Sequence, residues 1–359
     1  MFVAWRELRF ARGRFLLIGA VVALITLLVG FLTGLAGGLA SQNISAVLEL
    51  PGDRVVLQQP ANGDAKFATS SISPEAVGTW QRAGGVESVV PVGIAQARVS
   101  SAGTDDRVGV ALVGMPGGSA GSLGDLVPGA DDQVGLSSGA AEKLGVRVGG
   151  KVTITGRDFT VASVGDDLWY SHSPVIAMTE TAWPAASQRV GGTGRPTALA
   201  VSGHPDWGAV SADTGTVAKS RWLSLTALEA FMSEIGSLGL MIVMLFGISA
   251  LVVGAFFTVW TMQRASDIAV LKALGATTGS LTRDALGQAA VVLAAGIAAG
   301  LVLVLGLGAL AETRLPFIVS PLTTVVPAVA IALLGLAGAA FALRTVTTAD
   351  PLTALGSNR

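Results

Sequence analysis

The chain has 359 residues, of which 51% are apolar and only 13% charged, and its mean hydropathy is +0.65. Ordinary globular chains carry about 25% charged residues, so this composition belongs to an integral membrane protein with a soluble part attached. There is no cysteine, which excludes disulfides, thiolate metal sites and thiol catalysis.

Residues 1–14 carry four arginines and one glutamate; with Trp5, Leu8 and Phe10 they read as a cytoplasmic amphipathic segment, either a topology anchor or a contact to a partner or anionic headgroups. The first membrane span is expected at 15–40, 26 residues without a charge. That is longer than the roughly 7–15 apolar residues of a signal peptide, so it reads as an uncleaved helix. Gly30, Gly34 and Gly38 make two consecutive small-xxx-small steps on one of its faces. Such a ridge lets helices approach closely in lipid, either as a seam between two copies of the chain or as packing against its own other helices.

Residues 41–237 read as a large, strand-rich α+β domain. Ser73-Pro74-Glu75 opens a helix with a cap, a first-turn proline and an acid, and Gly84-Gly85 stops it. Strands are expected at 86–99, 107–113, 174–178 and 198–201, and a short helix at 139–144 closed by Gly145. Segments 151–155 and 159–164 alternate around Gly156-Arg157-Asp158, a hairpin signal. Gly145-x4-Gly150-Lys151-Val152 nearly fits a phosphate-binding loop, but it lacks the final hydroxyl and leads into a strand where such a loop must open a helix. Helical spacing resumes at Ser224 with Leu225, Leu228, Phe231, Met232 and Ile235, with Thr226-x-x-Glu229 as a capping box. It runs without a breaker into the next apolar run, so a stalk helix is expected to lead into the second span.

That span is 238–260, 23 residues without a charge, and a third follows at 285–311, 27 residues without one. About 20 apolar residues suffice to cross a bilayer. Residues 312–321 read as a short outer loop, 322–343 as the fourth span and 344–359 as a tail. Segments 1–14, 261–284 and 344–359 together hold nine basic residues against four acids, whereas 41–237 holds 13 basic and 19 acidic residues. Basic residues flanking spans stay cytoplasmic. Both termini and the 261–284 loop are therefore expected inside, and the large domain outside. No span has a charge at its centre, so an internal ion relay has no support and energy is expected from a partner.

The 261–284 loop is polar between apolar runs. Within it Ile268, Leu271, Leu274 and Gly275 fall on one helical face, with Arg264, Asp267 and Lys272 largely off it. Ser266 can cap this short helix and Gly275 can end it. It reads either as a connecting loop or as a surface helix that grips a soluble partner. Arg264 followed by Asp267-Ile268-Ala269-Val270-Leu271-Lys272-Ala273-Leu274-Gly275-Ala276 resembles the intracellular loop of FtsX/MacB-family ABC transporter permeases, with Asp267 in place of the usual Glu. Asp350-Pro351 with Ala354-Leu355 resembles that family's closing motif, and Leu144 to Lys151 is similar to the β-rich subdomain of its exported regions. Three further stretches are similar to the branch that holds heme-export permeases of the HrtB type: Met1 to Arg9, Gln42 to Ala46, and Tyr170-Ser171-His172-Ser173-Pro174.

The resemblance implies a transport subunit rather than an enzyme: a homodimer of four-span protomers working with two copies of a cytoplasmic ATPase that binds the ATP. Arg264, Asp267, Ile268, Leu271, Lys272 and Leu274 would couple to that partner. No intrinsic cofactor and no nucleic-acid partner are expected; membrane lipid is, and heme would be the transported ligand. Asp166 to His172 is the densest polar-aromatic cluster and holds the one tyrosine. It reads either as a surface loop with Trp169 buried or as a ligand site, in which Tyr170 or His172 ligates heme iron and Trp169 stacks on the ring. Gln42 and Glu49, just beyond the first span, and Glu229 and Glu234, just before the second, are either solvated or placed along the substrate's route. Gln42 stands where an acid is expected in some relatives. Export of a peptide, lipid or antibiotic, and control of a cell-wall hydrolase, are the competing functions.

Overall fold

The computed structural model describes residues 12–103, 106–263, 270 and 274–347. The chain divides into two compact units, a helical one of residues 1–38 and 237–359 and a sheet-based one of residues 39–236.

Among the described residues four helices are long and apolar enough to cross a membrane, spanning Phe15–Leu48, Glu229–Gln263, Thr278–Ala311 and Pro321–Leu343. Each outruns its apolar core. The first begins at Arg12 and continues to Leu48, because no breaker occurs before Pro51-Gly52; Gln42 and Asn43 are thus helical. The third begins at Thr278, capped by the Thr277 hydroxyl, so residues 278–284 are helix rather than loop. The second begins only at Glu229, which corrects the expected start at Ser224. Leu225–Ala227 is a turn of 3-10 helix and Leu228 is extended, with φ −95° and ψ 104°. Leu225, Ala227 and Leu228 are buried in the sheet unit's core, and that burial outweighs helix continuation. Thr226 does not cap; its hydroxyl donates to the Leu223 carbonyl.

The glycine ridge of the first helix is filled from within the same chain. A Cβ on Gly30 would stand 2.7 Å from Val304, one on Gly34 2.4 Å from Phe317, and one on Gly38 1.9 Å from the Pro316 carbonyl oxygen. Gly296 and Gly300 of the third helix meet the first in the same way, at Val22 and Thr26. Thr33 Oγ1 donates to the Thr323 carbonyl at 2.7 Å, and Ile318 N donates to Gly34 O at 3.1 Å.

In the sheet unit ten strands form one network: β1 (Arg54–Gln58), β2 (Val86–Ser101), β3 (Val108–Met115), β4 (Gln133–Ser137), β5 (Lys151–Ile154), β6 (Arg157–Gly165), β7 (Trp169–Tyr170), β8 (Ser173–Thr179), β9 (Ala198–Gly203) and β10 (Thr216–Ser220). The 16-residue β2 is shared by two halves. Its first part completes an antiparallel sheet in the order β10-β1-β9-β2. Its second part belongs to a closed ring, β2-β3-β8-β4-β6-β5 and back to β2. Side chains alternate across a strand. Val56, Leu199 and Val201 accordingly face the helices Pro74–Arg82 and Trp207–Thr214 around Trp80, while Val55, Leu57 and Ala200 face the opposite core. Val110, Leu112, Val134, Leu136, Ile154 and Ile176 belong to the core of the ring.

Ser73 caps the Pro74–Arg82 helix as its sequence predicts, and Gly145 in the left-handed region closes Ser138–Leu144. Lys151 opens a strand, which removes the phosphate-loop reading. The hairpin turn is Thr155-Gly156, not Gly156-Arg157-Asp158: Ile154 pairs with Arg157. Both turn residues have positive φ, 49° and 81°, the geometry of a two-residue hairpin loop.

Candidate functional site

The Trp169–His172 cluster resolves into three environments. β7 and β8 are joined by a two-residue loop, Ser171-His172, with φ of 46° and 62°. Left-handed backbone at a residue with a Cβ costs about 1–2 kcal/mol, so other contacts must hold it. The loop N–H groups supply them: Ser171 N donates to Asn43 O at 3.1 Å and His172 N to Gln42 O at 2.9 Å. Ser45 adds a third tie through Trp169 N, at 2.8 Å.

So held, His172 meets Glu234 and Asn43. His172 Nε2 is 3.0 Å from Glu234 Oε1, and Asn43 Nδ2 donates to Glu234 Oε2 at 3.1 Å and lies 3.3 Å from His172 Nε2. Asn43 is wholly buried, whereas the His172 and Glu234 side chains remain 35% and 28% exposed. Asn43 Oδ1 is buried without a hydrogen-bond partner among the described residues. An imidazole and a carboxylate, both reachable from solvent and braced by a buried amide, can ligate a metal centre or exchange a proton. Asn43 escaped the sequence reading because its pairing needs the first helix to run past Ala40; the signal was the unbroken stretch to Leu50.

The remaining predicted residues lie elsewhere. Trp169 is buried; its Nε1 donates to Asp167 at 2.7 Å, and Lys143 Nζ stands 4.5 Å over the ring. It therefore stacks on a cation of its own domain rather than on an open face. Tyr170 is 6% exposed and packs edge-on against Phe67 at 6.2 Å. Burial pushes its phenol pKa up, which opposes the tyrosinate form. Gln42 reaches the loop through its carbonyl. Glu49 accepts from Ser122 Oγ at 2.8 Å, and Glu229 forms an ion pair with Lys66. Of the seven candidates the structure brings two side chains together, His172 and Glu234. In the coupling segment, Arg264, Asp267, Ile268, Leu271 and Lys272 lie outside the described residues. Leu274 is 79% exposed and is followed by Gly275 at φ 94°.

Residues 239–351 match the FtsX-like permease C-terminal family. The full chain is 26% identical over 364 residues to a protein of Staphylococcus epidermidis RP62A named "Putative hemin transport system permease protein HrtB", covering 100% of both. A Staphylococcus haemolyticus JCSC1435 protein of the same name is 26% identical over 362 residues, covering 99% of both. Among solved structures, the periplasmic region of MacB from Actinobacillus actinomycetemcomitans aligns with a TM-score of 0.35 and 12% identity, over 53% of this chain and 97% of that one. The extracellular domain of the ABC-type transporter YknZ from Gram-positive bacteria aligns with 0.33 and 12%, over 47% and 100%. Residues 239–351, which hold most of the second membrane helix and the two that follow it, thus form an FtsX-like permease C-terminal domain.

Proposed function

We propose that this permease exports heme or a related porphyrin, and that the His172–Glu234–Asn43 cluster is where the iron is first held. The approach of His172 and Glu234, residues 62 positions apart, to 3.0 Å carries the proposal. Hemin transport in the names of the full-length relatives supports it. Both sequence neighbourhoods adjoin apolar runs: Asn43 follows the first by three residues and Glu234 precedes the second by four. Heme partitions into bilayers, so ligands beside such runs suit its capture. Imidazole and carboxylate oxygen both ligate ferric iron. Glu234 releases the His172 nitrogen while the Asn43 amide keeps the freed carboxylate in place.

The charge asymmetry supports termini and the 261–284 loop inside and the sheet unit outside. Energy comes from two copies of a cytoplasmic ATPase that meet the exposed Leu274 turn and the neighbouring Arg264–Lys272 segment. The glycine ridge is occupied within the chain, so a homodimer would form through the second helix, where Leu240, Val243, Met244, Ile248 and Leu251 are exposed. ATPase closure displaces the coupling segment, and heme leaves on the outer side.

Titrating hemin into the full chain in lipid nanodiscs tests the site. Saturable binding with a Soret band that shifts in His172→Ala and in Glu234→Ala is expected. Variant spectra superimposable on the parent's remove the cluster from the site, and no binding by the parent sinks the heme reading. Topology is tested separately. A cysteine at Asp64 should react with an impermeant thiol reagent in intact cells, and one at Thr278 should not; both positions are exposed.

A further inference from the structure

Strand β2 has a break in its pairing that the heme reading does not use. Backbone groups of alternate residues in an antiparallel strand point to the same side. Ile94 N and O both bond the Thr197 hydroxyl, at 2.9 and 3.2 Å, on the β9 side. Further along, Ala102 N donates to Lys151 O on the β5 side. The even-numbered residues therefore face β9 and then β5. Pairing with β9 ends at Val92 opposite Ala198, and pairing with β5 starts at Val99 opposite Ile154. Between them Gln96 turns its N–H and C=O to that side with no strand opposite among the described residues, while β3 continues along the other side.

A cleft of ≈ 440 Å³ lies at this break, lined by Ile94, Ala95 and Gln96 of β2, by Tyr170 and Ser171, by Trp183 and Ser187 of the Trp183–Arg189 helix and by the segments around Thr69 and Thr193. Tyr170 is part of the lining; the residue is nine-tenths buried, and no hydrogen bond of its hydroxyl occurs among the described residues. Arg195 is the one charged side chain in the lining and is exposed; Glu75 is within its electrostatic reach. Hydroxyls, with Thr69, Ser71, Ser187 and Thr193 among them, share the remaining wall with Phe67 and Trp183.

We infer that this cleft binds the carboxyl-terminal end of an extended peptide. The peptide backbone pairs with Gln96 and fills the missing strand position, and its terminal carboxylate accepts from Tyr170 Oη and pairs with Arg195. Strand addition draws affinity from main-chain bonds, and bonds to a charged acceptor are roughly twice as strong as neutral ones, so the free carboxylate dominates selectivity. The same chemistry belongs to the tail of a partner protein and to a released peptide.

The test uses the full chain in nanodiscs and a fluorescein-labelled tetrapeptide library with free carboxyl ends, set against the same library amidated, read by anisotropy. The acid library should bind about tenfold or more tighter than the amide, a 1.4 kcal/mol difference. Arg195→Gln and Tyr170→Phe should each remove most of that preference, and N-methylating the peptide backbone should weaken binding to the parent. Hemin spectra of both variants should match the parent's, which separates this site from the heme cluster. Equal binding of acid and amide, no binding of either, or unchanged preference in both variants overturns the inference. The same tetrapeptides at the end of a folded carrier protein identify the source. Binding there points to a partner's tail, and binding of the free peptides alone points to a released peptide; either result keeps the cleft as the site.

Discussion

The two units pack by opposite means. The helical unit brings its backbones together by leaving side chains out: Gly30, Gly34, Gly38, Gly296 and Gly300 each sit where a Cβ would collide with a neighbouring helix or with the loop before the fourth. The sheet unit fills its interior with large side chains, with Trp80, Phe67, Leu57, Leu112, Met115 and Ile176 fully buried. Lipid tails are as apolar as leucine, so burial between membrane helices gains little and close contact must supply the attraction. In water each buried Å² of apolar surface contributes about 25 cal/mol, and bulk is the better device. The candidate site belongs to neither scheme. Asn43, His172 and Glu234 are polar groups held by a strained loop and hydrogen bonds.

The contrast is broken most severely by exchanging the devices. Trp80→Ala, which opens a cavity under Trp207 and strips the 3.2 Å bond from Trp80 Nε1 to Thr216, should destabilise the sheet unit by about 3–5 kcal/mol. Thermal unfolding followed by circular dichroism should show the sheet transition falling while helical signal persists; a simultaneous loss of both would deny the units separate stability. Gly38→Leu should cost about 1–3 kcal/mol or more through overpacking against Pro316, seen as loss of monodispersity in detergent. A variant as well behaved as the parent would mean the ridge is not packed as described.

Smaller effects sharpen the view of the site. Asn43→Ala leaves Glu234 without its buried donor, and losing one partner of a buried hydrogen bond costs about 1–3 kcal/mol. Unfolding midpoints should fall accordingly, and an Asn43→Ala protein as stable as the parent would show that the amide does not brace the cluster. The Tyr170 pKa is raised by burial, so its contribution is complete below the unfolded phenol value of about 10 and is lost as pH rises beyond it. Denaturant midpoints should decline above about pH 10, and less steeply in Tyr170→Phe. The smallest effect runs the other way at Asp131, whose pKa is lowered by hydrogen bonds from Thr179 and Thr181. Its contribution is present above the unfolded carboxylate value and fades as pH falls, so Asp131→Asn should slightly flatten the acid limb of the stability profile. An acid limb unchanged in that variant would show that these bonds do not matter to folding.

The sequence by itself determined the four apolar helices, the charge asymmetry, the capped helix at Pro74 and most of the strands that alternate, because each of these signals is local. Composition and a period of 3.6 or 2 are read within a dozen residues. The family resemblance was equally local, carried by contiguous stretches such as Asp267 to Ala276 and Asp350-Pro351. Tertiary structure alone decided what faces what. Trp169, Tyr170 and His172 are neighbours in sequence, yet the left-handed Ser171-His172 turn and its bonds to Gln42 and Asn43 direct them to three different surroundings. Leu225 and Leu228 have helical spacing, but core burial pulls them out of the helix that begins at Glu229. The glycine ridge allowed either an internal or an intermolecular seam, and the positions of Val304 and Phe317 made it internal. Contacts between residues more than a hundred positions apart, such as Asn43 with His172 and Glu234, depend on the path of the whole chain, and no local period encodes that path.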